Sequence, residues 1–296
     1  MRPPSQRGFT LVEMIMVITI TGIIGSMVAM FIRAPVQGYV DSARRAEMTD
    51  IADTALRRLG RDLRTAVPNS VRVPNPTYIE FLPTKDGGRY RARPTGGAGG
   101  CAAAAGNTLG DALNFDDADS CFEIIGTGIA LFRGADDEHS DQIIVGSTQS
   151  DGNLPYIATA AGVRRPYTGA TGTQTAIRIA QVQFPVFAEL EGRRFEVVPG
   201  EQQAVTYACL NLDVDANGDG TGTLTRFWSY GFNAAQAAPA ALAAPSSAIL
   251  ADKVSACSFV YDPNNQRNSL VAATLTLTRG NESVRLYHEI HVNNIP

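Results

Sequence analysis

Apolar and polar positions are spread very unevenly along the chain. After a polar start at 1–8, carrying Arg2 and Arg7, residues 9–32 read FTLVEMIMVITITGIIGSMVAMFI, with Glu13 the one ionisable side chain. As a helix this run rises about 36 Å, enough to cross a hydrocarbon core of about 30 Å. A secretory signal has a shorter apolar region, about 7–15 residues, before a small-residue cleavage site. The run therefore predicts a membrane anchor that stays. Pro35 and Gly38 follow it and predict an interruption of the helix just past the membrane. Over 41–67 the period changes. Ile51, Ala55, Leu59, Leu63 and Val67 recur every four residues beside Ala52 and Leu56, while Arg57, Arg58, Arg61 and Arg64 fall largely on other faces. This predicts an amphipathic helix that lays its stripe on a domain and ends before Pro68.

Beyond Pro68 the pattern is one of short strands and turns. Strands are predicted at 78–82, 89–93, 122–125, 142–145, 176–184, 194–198, 204–212, 223–232, 254–261, 271–278 and 283–292. Lys85-Asp-Gly-Gly88 and Arg279-Gly-Asn-Glu282 read as hairpin turns. Segments 94–107, rich in Gly and Ala around Cys101, and 234–248, rich in Ala and Pro, read as surface loops, with a short helix as the alternative for the second. The expected class is α+β: a long N-terminal helix packed on a mostly antiparallel, β-rich domain over 68–296.

Composition narrows the partners. The chain has 25 Lys+Arg against 29 Asp+Glu, a formal net charge of −4, and so lacks the basic field of a nucleic-acid binder. Only Lys85 and Lys253 are lysines. Cys101, Cys121, Cys209 and Cys257 show no close pairs, which disfavours zinc and suits two disulfides outside the cytosol. Three pairings are open, and the local ones, Cys101–Cys121 and Cys209–Cys257, are favoured.

A carboxylate inside a membrane helix costs about 2.5–3.5 kcal/mol on insertion scales, so Glu13 calls for a partner and a task. Arg7-Gly-Phe-Thr-Leu-Val-Glu13 resembles the processing site of type IV prepilins and type II secretion pseudopilins. The resemblance implies cleavage after Gly8 by a membrane-embedded prepilin peptidase and N-methylation of Phe9. It also implies that Glu13, fifth in the mature chain, pairs with the terminal amine of a neighbouring subunit. An ammonium and a carboxylate relieve each other's desolvation cost in a low dielectric. Residues 1–8 are then a leader, 9–32 the membrane and filament-core helix, and 33–67 its continuation. The body lies in the periplasm of a single-pass inner-membrane protein, which later joins a pilus or pseudopilus. Arg2 and Arg7 against Arg33, Arg44 and Arg45 leave the charge-based orientation balanced.

Within that superfamily, 288–296 (HEIHVNNIP) and 226–232 (RFWSYGF) resemble the MshO family of minor pilin-like components of the MSHA (mannose-sensitive haemagglutinin) type IV pilus. PilW-type and J-type pseudopilin families compete with it. The implied partners are major and minor pilins, the prepilin peptidase and the inner-membrane assembly platform.

Candidate chemistry elsewhere is sparse. Asp213, Asp215, Asn217 and Asp219 place oxygens at alternate positions around glycines, as at the opening of an EF-hand-type loop. Position twelve counted from Asp213 is Leu224, and from Asp215 it is Arg226, so the closing carboxylate is missing. A turn and a structural Ca²⁺ site both stay open, and no other cofactor is expected. His288 and His291 are three apart on a predicted strand and point to opposite faces. His139 lies in an acidic loop, 136–141. No nucleophile elbow or phosphate loop is present, and the chain is not expected to be an enzyme. Three functions remain in view: a minor pilin in assembly, a pilus-tip adhesin or ligand-binding module, and a secretion pseudopilin.

Overall fold

The computed structural model describes residues 8–95, 99–101, 111–148, 152–261 and 269–294. The leader residues 1–7 and most of the Gly/Ala-rich segment lie outside the described residues. The chain divides into two units, Met1–Met48 and Thr49–Pro296, each taken by itself below. The helix α1 (Leu11–Arg64), 54 residues, begins in the first and ends in the second.

The first unit is helix from Leu11 onward. Pro35 lies within it and Gly38 is helical too, so the predicted interruption does not occur. A proline deletes one backbone bond, here to the Phe31 carbonyl, and costs about 3 kcal/mol. A helix this long keeps the bonds of every other turn, and propagation outweighs the single loss.

In the second unit the expected stripe is buried at Ala52, Ala55, Leu56, Leu59 and Leu63. Arg57, Arg58, Arg61 and Arg64 are exposed. One antiparallel sheet has the order β1 (Arg72–Asn75), β2 (Tyr78–Phe81), β11 (Val205–Leu210), β12 (Gly222–Trp228), β13 (Ser246–Tyr261), β14 (Ser269–Arg279), β15 (Glu282–Val292). A second has the order β7 (Arg164–Pro166), β6 (Gln142–Val145), β10 (Arg194–Val198), β3 (Asp86–Tyr90), β4 (Cys121–Ile125), β9 (Ala176–Arg178). A small ribbon pairs β5 (Ile129–Leu131) with β8 (Gly172–Gln174). The α+β layout matches the expectation.

Within the second unit the last turns of α1 lie on the seven-stranded sheet. Gly60 abuts Ile290 of β15, and the Asp62 carboxylate accepts from Tyr207 of β11 and Arg226 of β12. Phe122 meets Phe195 edge-on at 5.5 Å and Tyr90 at 6.3 Å, in a core under the six-stranded sheet.

The β14–β15 hairpin forms as the pattern predicts. Its register closes at Arg279↔Glu282, and Gly280 and Asn281 have φ of +59° and +65°, as a two-residue type I′ turn requires. Lys85-Asp-Gly-Gly88 does not turn a hairpin. Here β2 and β3 belong to different sheets, and 82–85 carries the chain between them. The two glycines serve close approach instead. A Cβ on Gly87 would sit 2.8 Å from the Phe195 carbonyl oxygen, and one on Gly88 3.1 Å from the Phe195 ring. Two further boundaries move. The strand predicted to reach 184 stops at Arg178, while β13 begins at Ser246, inside the segment read as loop.

Candidate membrane and assembly segment

Gly8, Phe9 and Thr10 precede the first helical residue. The Thr10 hydroxyl accepts the Glu13 backbone N–H at 3.3 Å, and the Thr10 carbonyl accepts that of Met14 at 3.2 Å. Thr10 thus caps α1, and Thr-x-x-Glu is the spacing of a capping box. The cap fixes Glu13 in the first turn, where a carboxylate faces the positive end of the helix dipole. One turn of helix is all that separates Glu13 from Phe9.

No part of its own unit covers this helix. Phe9 is 84% exposed, Ile18 66% and Phe31 86%, and the segment's mean hydropathy reaches 2.4. Length and composition suffice to cross a membrane. The hydroxyls within it are satisfied internally. Thr19 donates to the Ile15 carbonyl (2.9 Å), Thr21 to that of Val17 (2.6 Å) and Ser26 to that of Ile23 (2.8 Å). Such back-bonding suits a medium that offers no water. Glu13 is left as the polar group the helix cannot satisfy by its own backbone.

The remaining candidate residues lie in the second unit, apart from one another. Cys101 is bonded to Cys121 and Cys209 to Cys257, the two local pairings. The first joins Cys101, in the middle of the 94–107 segment, to the start of β4, and the second joins β11 to β13. The 213–220 segment connects β11 to β12. Asp215 Oδ1 accepts the N–H groups of Asn217 and Asp219, both at 2.9 Å. Asp219 accepts the Gly280 N–H at 2.7 Å and the Lys253 ammonium at 3.0 Å. These carboxylates knit the connection to the β14–β15 turn. Lys253 reaches Asp219 from a bulge in β13, where its own φ is +55°. Among the described residues no three His, Cys, Asp or Glu side chains converge to hold a metal. His288 and His291 fall on opposite faces of β15, and His288 approaches Asp53 at 3.7 Å.

Three clusters were invisible to motif reading. Asp62 holds α1 to the sheet, and its signal is an acid between the buried Leu59 and Leu63. Arg72 donates to Glu80 at 2.6 Å, and Glu80 also accepts from Tyr230 at 2.8 Å. Burial pushes the Glu80 carboxyl up, against the pull of Arg72. Arg165, fully buried, donates to the carbonyls of Val182, Gln183, Gly162 and Arg164. Burial lowers it to about 10.

Comparison with known proteins agrees with the N-terminal geometry. The prokaryotic N-terminal methylation motif matches residues 3–32. No curated protein and no solved structure matches the chain. The capped acid, the bare apolar helix and the matched motif coincide, and through residues 3–32 the chain is type IV pilin-like, with a leader-type N-terminus.

Proposed function

We propose that this protein is a structural, non-catalytic subunit: a minor pilin of a type IV pilus of the MSHA kind, acting in filament initiation or assembly. The leader is cut after Gly8 by a prepilin peptidase and the new Phe9 amine is methylated. The 9–32 helix waits in the inner membrane with the β-rich body in the periplasm, beside the assembly platform. On assembly it enters the filament core, where Glu13 meets the terminal ammonium of the adjoining pilin. The supporting observation is the bare helix itself, whose hydroxyls bond to its own carbonyls and whose one ionisable side chain is Glu13. Burying that charge against a cation removes a penalty that lipid or a neighbouring apolar helix would leave in place. A bulk of 296 residues before processing favours a minor subunit over the repeating one.

The test is Glu13→Ala expressed in the pilus-bearing cell. Processing persists, while the subunit disappears from the sheared filament fraction and surface pili fall in number. Normal incorporation and piliation would contradict the role given to Glu13.

A further inference from the structure

The β3–β10 pair carries a feature that packing alone does not account for. Arg194 and Arg89 are direct cross-strand partners, and like charges placed opposite each other destabilise a sheet. Both are exposed, and neither makes an ion pair with a carboxylate within 4 Å among the described residues. Two residues along the same face lies Glu196, whose cross-strand partner is Gly87, so no side chain covers it from β3. Its Oε2 is buried without a hydrogen-bond partner. The three polar residues line one open cleft of about 410 Å³, with Gly87, Gly88 and Ile125. Glu196 and Arg194 also line an adjoining cleft of about 310 Å³ that Arg64 of α1 enters.

We propose that the cleft over β3 and β10 is a binding site for an oxyanion, a carboxylate or a phosphate-type ester group, gripped by Arg89 and Arg194. Directly paired strand residues lie about 4.5–5.5 Å apart at Cα, so two guanidinium forks can close on one anion. An anion there relieves the repulsion between the arginines. Glu196 couples the site to protons. Burial raises its carboxyl to about 7, against the pull of Arg194. The charged groups around it are Arg194 on β10, Arg89 and Asp86 on β3, Arg64 on α1, and Lys85, which is already paired with Asp141. An anion arriving beside Glu196 favours its neutral, proton-donating form. Binding therefore takes up a proton near neutrality and weakens as pH rises through about 7.

The test is calorimetric titration of the full chain in detergent with sulfate (tetrahedral) and acetate (planar), neither of which titrates between pH 6 and 8. At least one binds, roughly fivefold or more tightly at pH 6 than at pH 8, with proton uptake at pH 7. Acetate alone identifies a carboxylate ligand, sulfate alone a phosphate-type one, and both a general oxyanion site. Arg194→Ala weakens binding at least about tenfold while its melting temperature holds or rises, because a like-charge pair has gone. Glu196→Gln binds equally at the two pH values. No binding of either anion by the wild-type chain, binding indifferent to Arg194→Ala, or a pH dependence that survives Glu196→Gln would each overturn the assignment. None of these readouts depends on filament assembly.

Discussion

The Arg226 guanidinium of β12 donates from Nε to the Asp62 carboxylate of α1 at 3.1 Å. The Tyr207 hydroxyl reaches the same oxygen at 2.8 Å, and Gln202 accepts from the other end of the guanidinium. An acid in the last turn of a helix opposes the dipole there, so Asp62 gains from a cation on the facing sheet. The pair also draws the helix down onto that sheet.

Asp62→Ala leaves the mostly buried Arg226 charge and the Tyr207 hydroxyl without their acceptor. The expected loss is about 2–4 kcal/mol in urea unfolding. Asp62→Asn keeps an acceptor and is expected to lose about half as much. Equal stability of Asp62→Ala and wild type would show that the hook contributes nothing.

The two disulfides differ in the length of chain they close. Their sequence separations are 20 residues for Cys101–Cys121 and 48 for Cys209–Cys257. Loop-closure entropy then assigns about 3 kcal/mol to the first and about 4 kcal/mol to the second. Cys209→Ser/Cys257→Ser is expected to lower the melting temperature more than Cys101→Ser/Cys121→Ser. The reverse order would place the larger effect in local packing instead.

Glu196 gives a stability profile with a defined sign. Its folded-state value of about 7 stands above the ordinary carboxylate value of 4.5. Between those values the folded chain holds a proton that the unfolded chain has lost. The contribution is complete below about 4.5 and is lost as pH rises through about 7, amounting at most to about 3 kcal/mol. Glu196→Gln removes the dependence and is more stable than wild type at pH 8. Parallel pH–stability curves for the two chains would contradict this.

The most regular parts of the fold are the legible ones. The four-residue recurrence from Ile51 to Leu63 specifies the buried helix face, and Arg279-Gly-Asn-Glu282 specifies the last hairpin through two positive φ angles. Glu13 stands out because it is the one ionisable side chain in an apolar run of 24 residues, 9–32. Other features depend on contacts remote in sequence. Gly87 and Gly88 look like a turn, and only the arrival of β10 makes them a floor for Phe195. Pro35 reads as a breaker because local preference says nothing of the turns on either side. Arg165 resembles a surface residue, since the carbonyls that satisfy it come from loops around 158–162 and 182–183. Arg194 and Glu196 become neighbours of Arg89 only through strand register.

The cleavage proposed after Gly8 has a direct genetic test. Gly8 precedes the helix and meets nothing within 4 Å, so a bulky residue is expected to fold normally there. Gly8→Leu is expected to leave the chain uncleaved, running about 1 kDa heavier than the processed form on a gel, with its membrane insertion intact. A processed product from this variant would mean that cleavage is directed by another position.

The most direct measurement is intact-mass and N-terminal mass spectrometry of the chain recovered from its native membrane. The expected product starts at Phe9 and carries one methyl group. A product that keeps Met1, or one cut downstream of residue 32 so that Glu13 is lost, would contradict it.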